Sequence, residues 1–187
     1  IVVIEKDSQT KPDVGKAQLA AAYGDDKVDL AIGPTSSGVA LAMLPVAEEA
    51  KKILLVEPAV ADQITGEAWN RYVFRTGRSS SQDAIANAVA LGKKGTVIAT
   101  LAQDYAFGRD GVKAAKEALA TMGSKAKVVH EEYAPQNTTD FTASAQRIFD
   151  ALKDKPPPRI LAIIWAGPHP LGKIADLKPE RYGIALA

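Results

Sequence analysis

The 187-residue sequence contains no cysteine. That excludes disulfides, thiolate nucleophiles and cysteine-ligated zinc. Histidine is almost as scarce, with His130 ending a predicted strand and His169 lying between two prolines. Neither has a recognisable partner in sequence for nucleophilic catalysis. No apolar run approaches the roughly 18 residues that a bilayer-spanning helix needs. Charge of neither sign dominates. The 23 basic and 22 acidic residues are scattered and leave a net charge of +1, so there is no footprint for nucleic acid or an anionic membrane. Gly-x-Gly-x-x-Gly, Walker-type Gly-Lys-Ser and His-Glu-x-x-His are all missing. Asp25-Asp26, Glu48-Glu49 and Glu131-Glu132 are the acidic pairs, and each reads as a solvated helix end or strand edge. Neither a cofactor nor a metal is indicated, and neither is catalysis.

What is present is 47% hydrophobic and 24% charged residues, ordinary for a globular protein and enough for one large domain or two small ones. Short apolar runs at 1–5, 28–33, 53–56, 96–101, 126–131, 159–165 and 182–187 read as strands. They are continuous rather than alternating, which suits parallel strands covered on both faces. Between them lie helical patterns. Residues 140–153 bring Phe141, Ala145, Ile148, Phe149 and Leu152 to one side. Residues 108–122 do so with Val112, Ala115, Leu119 and Met122, and 82–92 with Ile85, Ala88 and Val89. Repeated β-α units of this kind predict a doubly wound α/β architecture. The interval 57–78 breaks the alternation, with only a short extended piece at Tyr72-Val73-Phe74, and marks a crossing between domains near 76–80. The apolar runs at both ends, without an initiator Met or signal peptide, read as a piece of a longer protein.

Four segments at predicted carboxyl ends of strands are out of the ordinary, and such ends are where α/β sheets bind ligands. The first is Gly33-Pro34-Thr35-Ser36-Ser37-Gly38, between a strand and a helix opening around Ser36. Free backbone N–H groups and three hydroxyls there would cradle a carboxylate or another anion. The alternative is that Thr35 or Ser36 merely caps the helix. A nucleophile elbow is not met, because Pro34 stands where Gly-x-Ser-x-Gly needs glycine. The second is Glu57-Pro58-Ala59-Val60-Ala61-Asp62 and the third Gln103-Asp104-Tyr105-Ala106-Phe107-Gly108. The fourth is Trp165-Ala166-Gly167-Pro168. Tyr105 offers a ring and a hydroxyl to a cleft, or is a half-buried loop aromatic. Trp165 is equally readable as a core residue at a strand end.

With these segments in place, the chain resembles the type I periplasmic solute-binding proteins of ABC importers, the Leu/Ile/Val-binding family. The landmarks occur in family order: Gly33 to Ala40, Pro45 to Ala50, Tyr72 to Thr76, Asp104 to Gly108, Thr138 to Phe141 and Trp165 to Pro168. The resemblance implies two α/β lobes that close on a small ligand. Residues 1–76 would be part of the first and 77–187 most of the second, with an opening β-α unit and a segment after Ala187 outside this chain. It implies that Ser36 and Ser37, with Thr35 beside them, hold a ligand carboxylate. Ala59, Val60 and Ala61 would bracket the ligand from the same lobe, Tyr105 would close on it, and Trp165 to Pro168, Gly167 among them, would line the far wall.

It further implies a periplasmic receptor, not an enzyme, delivering a branched-chain or apolar amino acid or an aromatic acid to a membrane permease. A sensing module of the same fold is the alternative. Where the family usually has small hydroxyl residues after the proline of the second loop, this chain has Ala59-Val60-Ala61. That makes the expected pocket more apolar. A strand missing from the first lobe would leave apolar faces uncovered, so the chain alone is expected to associate with another copy or with a missing segment.

Overall fold

Parallel strands need crossover connections, and helices supply them throughout this computed structural model, which describes residues 1–92 and 95–187. The chain divides into two compact units, Ile1–Ser80 and Ser81–Ala187. In the first unit the elements run α1 (Pro12–Gly24), β1 (Leu30–Ile32), α2 (Ser37–Ala50), β2 (Ile53–Val56), a 3-10 turn (Asp62–Ile64) and β3 (Val73–Arg75). The three strands pair in parallel in the order β1-β2-β3. Pro12 opens α1, where its fixed φ suits the first turn and its missing N–H costs nothing. Gly15 lets α1 lie directly on α2, since a Cβ there would fall 2.3 Å from Val39 Cγ1. Leu19, Val39, Leu44, Leu54, Val56 and Val73 fill the space between the helices and one face of the sheet. Each such fully buried side chain stabilises the unit by about 1.5–3 kcal/mol.

The other face of that sheet is bare. Register puts Leu30, Ile32, Ile53, Leu55 and Phe74 on it, and Ile32 and Phe74 are 68% and 50% exposed. Continuous apolar strands were expected to be covered on both faces, but among the described residues helices cover only one. The expected strand at 1–5 is also absent. Ile1, Val2 and Val3 are highly exposed, because none of the described strands pairs with them.

The second unit is covered on both faces. Its order is α3 (Ser80–Leu91, beginning at the division), β4 (Val97–Gln103), α4 (Ala106–Thr121), β5 (Lys127–Ala134), α5 (Thr142–Leu152), β6 (Arg159–Ile164), α6 (Leu171–Asp176) and β7 (Ile184–Leu186). The parallel sheet runs β5-β4-β6-β7. Ile98 faces Ala84, Ala88, Ala114 and Ala118 of α3 and α4 on one side. Ala99 and Leu101 face Ala145, Ile148 and Leu152 of α5 on the other. β4 is buried along its whole length, as its position between two neighbours requires. Asp140 accepts from the Thr142 N–H at 2.9 Å and so closes the start of α5.

Two helical faces differ from the periodic reading. Val89 is 62% exposed and Ile85 is exposed too, while Ala84 and Ala88 face inward. The small side chains allow α3 to approach Ile98 and α4 closely, and that contact turns the larger residues outward. Met122 likewise follows the end of α4 and is exposed rather than packed.

β5 is an edge strand of this sheet and carries Lys127, His130, Glu131 and Glu132, charges that discourage pairing with another chain. Glu132 is nearly buried and accepts from both Arg147 Nε, at 3.1 Å, and Arg147 Nη2, with His130 Nε2 at 3.4 Å. Burial pushes its carboxyl up, but hydrogen bonds from Arg147, Ser144 and His130 outweigh that and hold it below the usual glutamate range.

Two outcomes are expected. The 187-residue chain should self-associate through the bare face of the first sheet, and Ile32→Thr with Phe74→Thr should shift it toward monomer. Sedimentation showing the same monomeric state for both proteins would count against this. The depressed folded-state pKa of Glu132 means that its contribution is present above the ordinary glutamate value near 4.5 and is lost as the pH falls through the lower folded value. The stability gap between wild type and Glu132→Gln in urea should therefore be widest above pH 5 or so and close on acidification.

Candidate functional site

The helix α2 begins without the side-chain cap that its sequence offers. Ser36 is the N-cap residue, with extended φ and ψ of −78° and 125°, yet its hydroxyl makes no cap hydrogen bond. The first intrahelical bond runs from Ala40 N–H to Ser36 C=O at 2.9 Å. The N–H groups of Ser37, Gly38 and Val39 precede it and have no carbonyl within the helix to meet. Thr35 is exposed and Ser36 half-buried, so two hydroxyls stand beside those donors. Gly33 supplies the turn into this segment at a φ of 122°, open to glycine and strained for other residues. The capping reading of Ser36 is therefore not realised, and the first-turn donors are left beside two hydroxyls.

Ser37 behaves differently. It is 2% exposed, and its Oγ accepts from the Ala61 N–H at 3.2 Å. That bond ties the start of α2 to the loop after β2. In this loop Ala59, Val60 and Ala61 are all buried, so methyl groups rather than polar side chains form its body. Its carbonyls are held from elsewhere in the same unit. Arg75 Nη1 donates to Val60 O at 3.1 Å and Ala61 O at 2.8 Å, and Arg75 Nη2 to Thr65 Oγ1 at 2.7 Å. Ser80 adds its N–H at 2.8 Å and its hydroxyl at 3.2 Å to Val60 O. Thr76 Oγ1 meets Glu57 Oε2 at the mouth of the loop.

In the second unit Tyr105 is the N-cap residue of α4, half-buried, with its ring 5.9 Å from that of Phe107. Burial pushes its hydroxyl pKa up, against a hydrogen bond with Gln136 that lowers it. Gly108 makes this turn possible, because a Cβ there would sit 2.0 Å from Gln103 O. Trp165 takes the core position that was its alternative reading: it is 9% exposed, edge-on to Phe141 at 5.2 Å and 80°. The backbone after it, Ala166 and Gly167, is exposed, with Gly167 at a φ of 82°. Gln103 pins this segment by donating from Nε2 to Ala166 O at 3.0 Å and accepting the Ala166 N–H at 2.9 Å.

Thr35, Ser36, Ser37 and the Ala59–Ala61 loop are thus brought together in the first unit, and Tyr105 and the Trp165–Gly167 segment lie in the second. Sequence reasoning missed the residues that hold these loops, Arg75, Ser80 and Gln103. Arg75 and Gln103 are polar residues at the carboxyl ends of strands, and that placement was the available signal. Among the described residues, no three His, Asp or Glu side chains gather as a metal site would require, and no helix is long and apolar enough to cross a membrane. His130 is engaged with Glu132, and His169 Nδ1 accepts the Leu171 N–H.

Residues 1–165 match the sequence model of a family described as periplasmic binding protein. An ABC-type branched-chain amino acid transporter protein from Rhodopseudomonas palustris is 68% identical over all of this chain and 50% of its own, with a TM-score of 0.72. A solute-binding protein of an ABC transporter from R. palustris BisB5, solved with 3,4-dihydroxybenzoic acid, is 29% identical over 100% of this chain and 50% of its own, at a TM-score of 0.82. Another from R. palustris, solved with benzoate, is 27% identical over 100% of this chain and 50% of its own, at 0.84. The chain spans about half the length of these solved relatives. No curated protein matches it.

The close approach at Gly108 yields a direct test. Gly108→Ala must displace either α4 or the Gln103 backbone, and such overpacking costs about 1–3 kcal/mol. Urea unfolding should show the second unit weakened by that amount, with the Tyr105 turn altered in its fluorescence. An unchanged midpoint would mean that the close approach is not maintained in solution.

Proposed function

Because the chain belongs to the periplasmic binding protein family, we propose that it forms the binding portion of an extracytoplasmic receptor for a small carboxylate, which an ABC permease then imports. The observation that carries this reading is the start of α2, where Ser36 leaves the first-turn N–H groups uncapped beside two hydroxyls. A carboxylate placed there would take up those donors and meet the positive end of the helix dipole, which offset the loss of its hydration. The receptor works by binding, with no bond made or broken.

The neighbouring loop argues for the kind of carboxylate. Ala59, Val60 and Ala61 carry no polar side-chain atoms, and the Val60 and Ala61 carbonyls and the Ala61 N–H are bonded within the unit. A polar tail would find no side-chain partner in that loop, and an unpaired buried donor costs about 1–3 kcal/mol. Relatives solved with benzoate and 3,4-dihydroxybenzoic acid support an aromatic acid as ligand. The relative described as a branched-chain amino acid transporter supports a branched aliphatic one.

The expected outcome in the intact protein that carries this chain is selective binding of benzoates or branched aliphatic acids over glutamate and serine in calorimetry. Ser36→Ala should weaken that binding by about 1–3 kcal/mol, since a hydroxyl bond to a charged oxygen is lost while the backbone donors stay. Ser37→Ala should instead lower stability, because it strips the Ala61 N–H of its buried partner. Binding of the polar amino acids alone, or full affinity in Ser36→Ala, would refute the anchor.

A further inference from the structure

The loop after β6 is exposed, yet a side chain from another strand holds it. Trp165 before it lies in the core and Pro170, where α6 begins, is buried, while Ala166, Gly167, Pro168 and His169 between them are exposed. Gln103 reaches this loop from the end of β4, one residue beyond the register pair Ala102 and Ile164. Its Nε2 donates to Ala166 O at 3.0 Å, and its Oε1 accepts the Ala166 N–H at 2.9 Å. Gln103 is 3% exposed, so a buried amide is spent on the backbone of one exposed residue. The pairing copies a rung of the ladder where the strands themselves have ended.

The same residue supports the Tyr105 turn. Gln103 O accepts the Tyr105 N–H at 2.9 Å, and a Cβ on Gly108 would sit 2.0 Å from that oxygen. The Asp104 N–H meets Ala134 O at 2.8 Å, and Asp104 Oδ1 accepts from Arg109 Nε at 2.7 Å across the turn. Half-buried Tyr105 and the exposed Ala166–Gly167 backbone are thus two accessible features at the carboxyl edge of one sheet, where α/β proteins bind ligands. Gln103 is bonded to both.

Resting on the carboxylate-receptor reading above, we propose that Gln103 is a positioning residue for ligand binding, which holds the Ala166–Gly167 backbone beside the Tyr105 turn so that the second unit meets ligand with both already ordered. Gln103 is buried and touches no ligand in this role; it acts through Ala166. A site that must first order a loop loses affinity by the cost of ordering it. Removing the amide leaves the Ala166 N–H and C=O to water, so the loop loosens in protein that stays folded. A purely structural role would lower affinity only by reducing the folded fraction.

The test uses the intact protein as wild type, Gln103→Met and Ile98→Val. Methionine fills a similar volume without the amide. Ile98→Val weakens the core between β4 and the helices α3 and α4, on the other face of the strand from Gln103. Benzoate and 4-methylpentanoate are titrated by calorimetry under conditions where each protein is folded, and hydrogen exchange is followed without ligand. Gln103→Met should bind both acids about tenfold more weakly, with the Ala166 and Gly167 amides exchanging faster. Ile98→Val should bind within about threefold of wild type, with that loop unchanged. In wild type the Ala166 amide should exchange more slowly than that of Gly167, which has no such bond among the described residues. Equal exchange of the two amides overturns the role of Gln103 even if Gln103→Met does not fold. Unaltered affinity in Gln103→Met, or an equal loss in both variants, overturns it too. Wild-type protein that binds neither acid refutes the receptor reading itself.

Discussion

An α-helix starts with backbone donors that its own carbonyls cannot reach, and the start of α2 leaves them without the usual side-chain cap. The rest of the first unit is arranged around that constraint. β1 delivers the chain to Gly33, whose positive φ turns it into the helix. α2 is then locked down by its buried face, with Val39, Leu44 and Ala47 in the core, so the donors are fixed in direction. Ser37, the one hydroxyl of the three that is buried, is spent on the neighbouring loop. A rigid set of donors loses little entropy on meeting an anion.

The two units solve loop placement by the same physical means. In each, a polar side chain at the carboxyl end of a strand donates to the backbone of a loop that leads away from a neighbouring strand. Arg75 at the end of β3 holds the loop after β2, and Gln103 at the end of β4 holds the segment after β6. Gln103 does so as a strand would, with one donor and one acceptor to the same residue, Ala166. Parallel neighbours end at the same edge, so such bridges are short.

Much of this was legible in the sequence because strand burial and turn chemistry are local. β2 falls on the expected 53–56, and the turn into α2 follows from Gly33-Pro34 before an apolar helical stripe. What failed depended on distant partners. The run at 1–5 has a strand's composition, but a strand exists only where a ladder partner lies beside it. Ile85 and Val89 looked like the buried face of α3. The close contact of Ala84 and Ala88 with Ile98 and α4 decided otherwise, and size complementarity across a sheet cannot be read from one helix. Trp165 illustrates the same limit: its core position depends on Phe141, twenty-four residues earlier, meeting it edge-on.

The composition of the second loop bears on why an aromatic or branched acid suits the proposed site better than a polar amino acid. A polar ligand group facing buried methyls has no partner, and an unpaired buried donor costs about 1–3 kcal/mol. An ammonium costs more, since it must either stay hydrated or find a carboxylate. In the first unit the nearest acid in sequence, Asp62, sits in the 3-10 turn and already has an interaction of its own. A ligand with one charged end and an otherwise apolar body meets neither penalty. It would meet the donors of α2 without setting a polar group against a loop that has no side-chain partner to offer.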